Sequence, residues 1–142
     1  MFRPKSRTIS RCSCHDPYLT ADDLGHLEVL ANANYDPSEG PTIHSFVKAN
    51  CDFHMAIAQG SGNTRLTAMV STHLDECARL FYLGARSRDV NPETNDDHRR
   101  IVEELRFRDS KKARAAVVEH SEHTRQGVLK ALISSDVSGL TI

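Results

Sequence analysis

Apolar residues recur along most of this chain at intervals of three and four, the spacing of one face of an α-helix. Leu24, Leu27, Leu30 and Ala31 form the first stripe, and Thr20 with Asp23 three positions later is a capping box that opens it. Asn34 and then Asp36-Pro37-Ser38-Glu39-Gly40 break the pattern as a loop. Pro41 suits the first turn of a second helix, whose face carries Ile43, Phe46, Val47, Phe53 and Ile57 until Gly60-Ser61-Gly62-Asn63 stops it. A third stripe holds Leu66, Met69, Val70, Cys77, Leu80 and Phe81 and fades near Gly84. After a loop over Ser87 to Glu93, Thr94 with Asp97 reads as another capping box, followed by Ile101, Val102 and Leu105. Asp109 caps a last helix through Ala113, Ala116, Val117, Val128 and Leu132. Strand-like alternation and internal repeats do not occur. The expectation is an all-α, antiparallel bundle of about five to six helices.

Length and charge narrow this picture. With 142 residues the chain has room for one domain. It divides into a flexible basic arm over 1–18, the helical bundle over 19–134 and a loose tail over 135–142. Hydrophobic residues at 39% allow a core and exclude a disordered chain. No apolar run approaches 18 residues, which excludes a membrane-spanning helix. A net charge of -1 excludes a strongly basic nucleic-acid binder. The four cysteines, Cys12, Cys14, Cys51 and Cys77, come without a secretory signal and imply a reducing, cytoplasmic setting. Cys12-Ser13-Cys14-His15 lacks a second cysteine pair, so its thiols read as exposed arm residues; Cys51 and Cys77 read as buried or half-buried thiols.

The eight histidines change the picture most, because several fall where core is expected. Asn50 and His54 are four residues apart on the apolar face of the second helix. His98 continues the stripe of Ile101, Val102 and Leu105, and His120 that of Ala113, Ala116 and Val117. From His98 to the turn at Phe107–Asp109 is about 12 Å of helix, and from there to His120 about 15 Å. Antiparallel neighbours would therefore hold both imidazoles at one level, and the same arithmetic across Gly60–Asn63 brings His73 level with Asn50 and His54. Each histidine alone is explained by a hydrogen bond to a neighbour. Three at one level beside an amide point to a divalent metal held by Asn50, His54, His98 and His120. Zn²⁺ suits three imidazoles and an oxygen best, with Ni²⁺, Mn²⁺ or Fe²⁺ as alternatives.

The same residues carry a family resemblance. NCDFHMAIAQGSGNTRL followed by DDHRRIVEELRFRDSKKARAAVVEH resembles the effector-binding (FCD) domain of the FadR subfamily of GntR-type transcriptional regulators. Matching features are Asn50 with His54, Ser61-Gly62-Asn63, His98, Asp109 with Ala113, and His120, concentrated from Pro41 to Leu132. The resemblance implies an antiparallel helical bundle that binds a small organic acid at a metal held by Asn50, His54, His98 and His120. It implies a homodimer, with DNA contacted only through a winged helix-turn-helix that this length does not accommodate. Metal-binding members commonly carry Asp where Asn50 stands. A neutral amide leaves the metal more positive, which favours an anionic effector completing its coordination.

The remaining polar residues divide as follows. Arg65, Arg79, Arg86 and Arg88 are available to clamp a carboxylate bidentately, and Arg79 is the first choice among them, with His73 as a second effector contact. His123 belongs to the surface near the site, while His26 and His44 have no supporting pattern. Asp52 points away from His54. A sensor without turnover is the main expectation, so the chain is not expected to be an enzyme. A metal-dependent hydrolase is the first alternative, with Glu119 and Glu122 flanking His120 but not sharing its face. A degenerate dimerisation module that no longer uses the pocket is the second.

Overall fold

The computed structural model describes residues 19–138, with side chains as far as residue 134. The 1–18 arm with Cys12 and Cys14 therefore lies outside the described residues. Five helices make up the fold: α1 (Ala21–Ala31), α2 (Gly40–Gly60), α3 (Thr64–Ser87), α4 (Asn91–Arg106) and α5 (Ser110–Ser138). No strand occurs among the described residues, and the fold is the expected all-α bundle.

Local chemistry sets most helix ends. Thr20 and Asp23 form the reciprocal cap that starts α1, Asp23 Oδ2 accepting from the Thr20 amide at 2.7 Å. Pro41 stands in the first turn of α2. Between α2 and α3 the chain reverses through Gly62, whose φ of 66° lies in the left-handed region open to glycine. Asn63 then caps α3 by accepting the Leu66 amide at 3.1 Å. Asp109 accepts the Lys112 amide at 3.0 Å ahead of α5.

Four boundaries and faces differ from expectation. α3 passes Gly84 and runs to Ser87, because Gly84 and Ala85 are buried in the bundle. Thr94 and Asp97 do not cap α4, which begins earlier, at Asn91, with Pro92 in its first turn. α5 stays helical to Ser138, four residues into the stretch read as a tail. On α3, Leu66 and Met69 are 42% and 71% exposed. The side that packs carries Leu74, Ala78, Phe81 and Ala85 instead, because α3 has apolar residues on more than one side and neighbours cover only part of it.

The helices close a ring. α1 packs on α2, α2 on α3, α3 on α5, α5 on α4, and α4 back on α1. Across the ring, the backbone of α2 nowhere comes within 8 Å (Cα–Cα) of α4 or α5. One core cluster joins Leu27 and Ala31 of α1, Phe53 of α2, Ile101 and Val102 of α4 and Ala116 of α5. A second joins Tyr35, Ile43, Phe46, Val47 and Ala85.

Tyr35 also ties two connections together. Its hydroxyl accepts the Val90 amide at 2.9 Å and shares its proton between the carbonyls of Ala85 and Arg88, at 3.0 and 2.9 Å. The Asn91 side chain brackets the Tyr35 backbone, donating to its carbonyl at 2.9 Å and accepting from its amide at 3.1 Å. The α1–α2 loop and the short α3–α4 connection are thus one hydrogen-bonded unit.

Candidate metal centre

Three helices aim an imidazole at the interior of the ring. His54 on α2 is half-buried, while His98 on α4 and His120 on α5 are 2% and 5% exposed. His98 lies flat on Phe53, ring centroids 4.0 Å apart and planes 13° apart, so a core aromatic fixes its orientation. His120 Nε2 is 3.3 Å from His98 Nε2 and 3.2 Å from His54 Nε2. All three donor atoms lie within 4.8 Å of one another. Tetrahedral coordination with Zn–N bonds of about 2.0–2.1 Å separates donors by roughly 3.3 Å, which fits the two edges of this triangle that meet at His120.

The proton inventory gives the triangle a direction. Asp97 Oδ2 lies 3.3 Å from His120 Nδ1 and 2.9 Å from His123 Nδ1. A proton on His120 Nδ1 facing that carboxylate leaves the Nε2 lone pair turned inward, the arrangement of a histidine ligand held by a second carboxylate. That single lone pair cannot serve both His54 and His98 as a full hydrogen-bond acceptor. A cation at the centre satisfies all three nitrogens at once. Burial pushes the same way: removal from water, helped by the neighbouring His120, lowers His54 to about 3, and burial lowers His98 to about 2. His120 is also lowered by burial, against the opposing pull of Asp97, whereas exposed His123 is raised by its hydrogen bond to Asp97. The centre is therefore neutral and electron-donating near pH 7, the state a metal requires.

A cavity of about 70 Å³ opens onto this centre, lined by Asn50, His54 and His120 together with Arg88, Glu93 and Thr94. It is small beside the roughly 300–1,000 Å³ of pockets that hold drug-sized ligands, so it matches a few waters or one compact anion.

A family model for the FCD domain matches residues 18–123, from ahead of α1 to beyond His120. The chain belongs to the FCD family. No curated protein and no solved structure matches it at a significant level. The FCD domain is the effector-binding, C-terminal domain of GntR-type transcriptional regulators. Its match includes α1, further towards the N-terminus than the motifs beginning at Pro41, and it contains all three converging histidines.

Within this FCD domain the structure brings together four of the six residues singled out from the sequence. His54, His98 and His120 meet directly, and Asn50 lines the same cavity one helical turn before His54. His73 and Arg79 do not join them. Both are exposed on α3 and neither lines the cavity. The level of His73 along its helix was no guide to its direction: it neighbours buried Leu74 and so points about 100° away from the packed stripe, where its ring touches Cys77 Sγ at 3.7 Å. Arg79 is displaced similarly from Ala78. Arg88 is the arginine of the four that lines the FCD cavity, facing Glu93. The sequence pattern presents Asp97 as a capping residue and so hides its role beside His120; its position nearly two turns inside α4 and next to His98 is the available signal. Glu119 and Glu122 are paired with Arg100 and Arg125, away from the centre.

Proposed function

We propose that this FCD domain is a metal-dependent sensor of a small organic acid. The observation that carries the proposal is the convergence of three Nε2 atoms from α2, α4 and α5, with Asp97 behind His120. His54, His98 and His120 would hold a divalent ion, zinc first and nickel, manganese or iron(II) as alternatives, with Asn50 as a neutral oxygen donor. Bound there, the ion supplies a positive centre that attracts a carboxylate. The chain's own residues do the rest: Phe53 fixes His98, Asp97 orients His120, and the apolar wall of Phe46, Val47 and Ala85 excludes water. Because α2 reaches α4 and α5 through side chains, with no close backbone approach, a ligand at the centre would bear directly on how the two sides of the ring sit. Glu119 and Glu122 are held in outward ion pairs, Glu93 is engaged by Arg88, and Asp97 faces His120 Nδ1 rather than the inward Nε2 side, which together favour binding over turnover. Homodimerisation in the cytoplasm, with DNA reached through a winged helix-turn-helix unit, completes the reading.

Elemental analysis and thermal melts test it. One zinc per chain is expected, and zinc at a thousandfold excess over its Kd adds about 4 kcal/mol of stability. For a chain of this size that raises Tm by roughly 8–16 °C. Asn50→Asp should tighten zinc binding by adding a charge to the donor set. No bound metal together with an unmoved Tm overturns the proposal, and an Asn50→Asp variant no tighter than the parent removes Asn50 from the donor set.

A further inference from the structure

The mouth of the cavity holds a second polar assembly. Arg88, which caps the C-terminal end of α3, reaches over the short connection to Glu93 in the first turn of α4. Its Nη1 donates to Oε2 at 3.0 Å and its Nη2 to Oε1 at 2.5 Å, a two-pronged pair. The guanidinium rests in a notch on α5: a Cβ at position 127 would lie 2.7 Å from Nη2, so Gly127 leaves the room it occupies. The pair is 38% and 43% exposed, whereas His120 beneath it is 5% exposed. Arg88 and Glu93 thus form the rim of a cavity whose floor is His54 and His120.

A guanidinium offers the same fork to any carboxylate. Glu93 therefore occupies the donors that a carboxylate entering this cavity needs, and both carboxylates compete for one cation. We propose that the Arg88–Glu93 pair is a carboxylate-specific latch, in which an anionic ligand takes Arg88 over from Glu93 and Glu93 acts as a built-in competitor. The proposal rests on the effector-binding reading above and adds the residue that sets ligand affinity and class. An uncharged ligand cannot exchange with Glu93, so the latch rejects it. Exchange also frees the first turn of α4 from the end of α3, which links occupancy of the cavity to the α3–α4 connection that Tyr35 and Asn91 hold.

Isothermal titration of the zinc-loaded chain with acetate and with acetamide tests the latch in four forms: parent, Glu93→Gln, Arg88→Gln and the double variant. Glu93→Gln is expected to tighten acetate roughly two- to fivefold, the upper part of the range for a partly exposed ion pair, and to leave acetamide unmoved. Arg88→Gln is expected to weaken acetate by a similar factor, and in its background Glu93→Gln should have no further effect. The latch is overturned by acetate affinity that Glu93→Gln leaves unchanged, by equal tightening of acetamide, or by full tightening in the Arg88→Gln background, which would mean a charge effect on the metal alone. Should Glu93→Gln fail to fold, Glu93→Asp breaks the two-pronged geometry and is read in the same direction. An EDTA-stripped arm separates the two ideas. Zinc-dependent acetate binding indifferent to Arg88 and Glu93 sinks the latch and keeps the metal reading; zinc-independent binding that follows both residues does the reverse.

Discussion

A buried imidazole has two nitrogens to satisfy, and at His120 one carboxylate decides the use of both. Asp97 takes the Nδ1 side at 3.3 Å, so Nε2 faces the other histidines. Asp97→Asn keeps the size and removes the charge; it is expected to weaken zinc binding about ten- to hundredfold in a competition titration while the fold persists. Unchanged affinity would show that Asp97 serves only His123. The lowered histidines also make the metal-free domain acid-labile. Because the folded pKa values of His54 and His98 lie near 3 and 2, the unfolded chain binds more protons than the folded one below about pH 6.5. Stability in EDTA should therefore fall from pH 6.5 downward, by about 1.4 kcal/mol per pH unit for each histidine once the unfolded chain is protonated. Urea titrations at pH 7, 6, 5 and 4 measure this, and His98→Phe should flatten the slope by one proton. These histidines were legible because each interrupts an apolar stripe. Arg88 was legible as one of four candidates but not as the one that lines the cavity, since its direction depends on how α3 ends.

Among the elements, the connection between α3 and α4 departs furthest from its sequence pattern. Gly84 reads as a stop, and Thr94 with Asp97 as a fresh start, which leaves a long loop between them. In the fold only Arg88–Val90 separate the helices. The reason is non-local: Tyr35, fifty or more positions away, meets the Val90 amide and the carbonyls of Ala85 and Arg88. Local propensity cannot report a partner at that separation, whereas the caps at Thr20 and Asp109 involve residues three apart and are readable directly. Tyr35→Phe should cost about 1–3 kcal/mol, because the Val90 amide loses its acceptor inside a packed region. Urea midpoints at constant m-value give the cost, and amide exchange at Val90 gives its location. A loss below about 0.5 kcal/mol with Val90 still protected would mean that water replaces the hydroxyl.

At the scale of the molecule, helix number and class follow from periodicity, but the ring does not. The order in which α5 sits between α3 and α4 rests on which faces are apolar, and α3 carries apolar residues on more than one side. The site was legible further than the ring because depth along antiparallel helices can be counted in residues: His98 and His120 were placed at one level, and their nitrogens lie 3.3 Å apart. Counting gives height and leaves rotation open, which is why His73 failed.

The closed ring has a consequence for the order of assembly. α2 with α3, and α4 with α5, are helical hairpins whose contacts are local in sequence, so each can form early. His98 and His120 belong to one hairpin and His54 to the other. The complete triad exists only after the hairpins have docked, late on the route to the native state. A ligand that needs all three nitrogens therefore gains its full hold after the folding barrier rather than before it. It acts by lengthening the lifetime of the folded chain and leaves the speed of folding almost untouched.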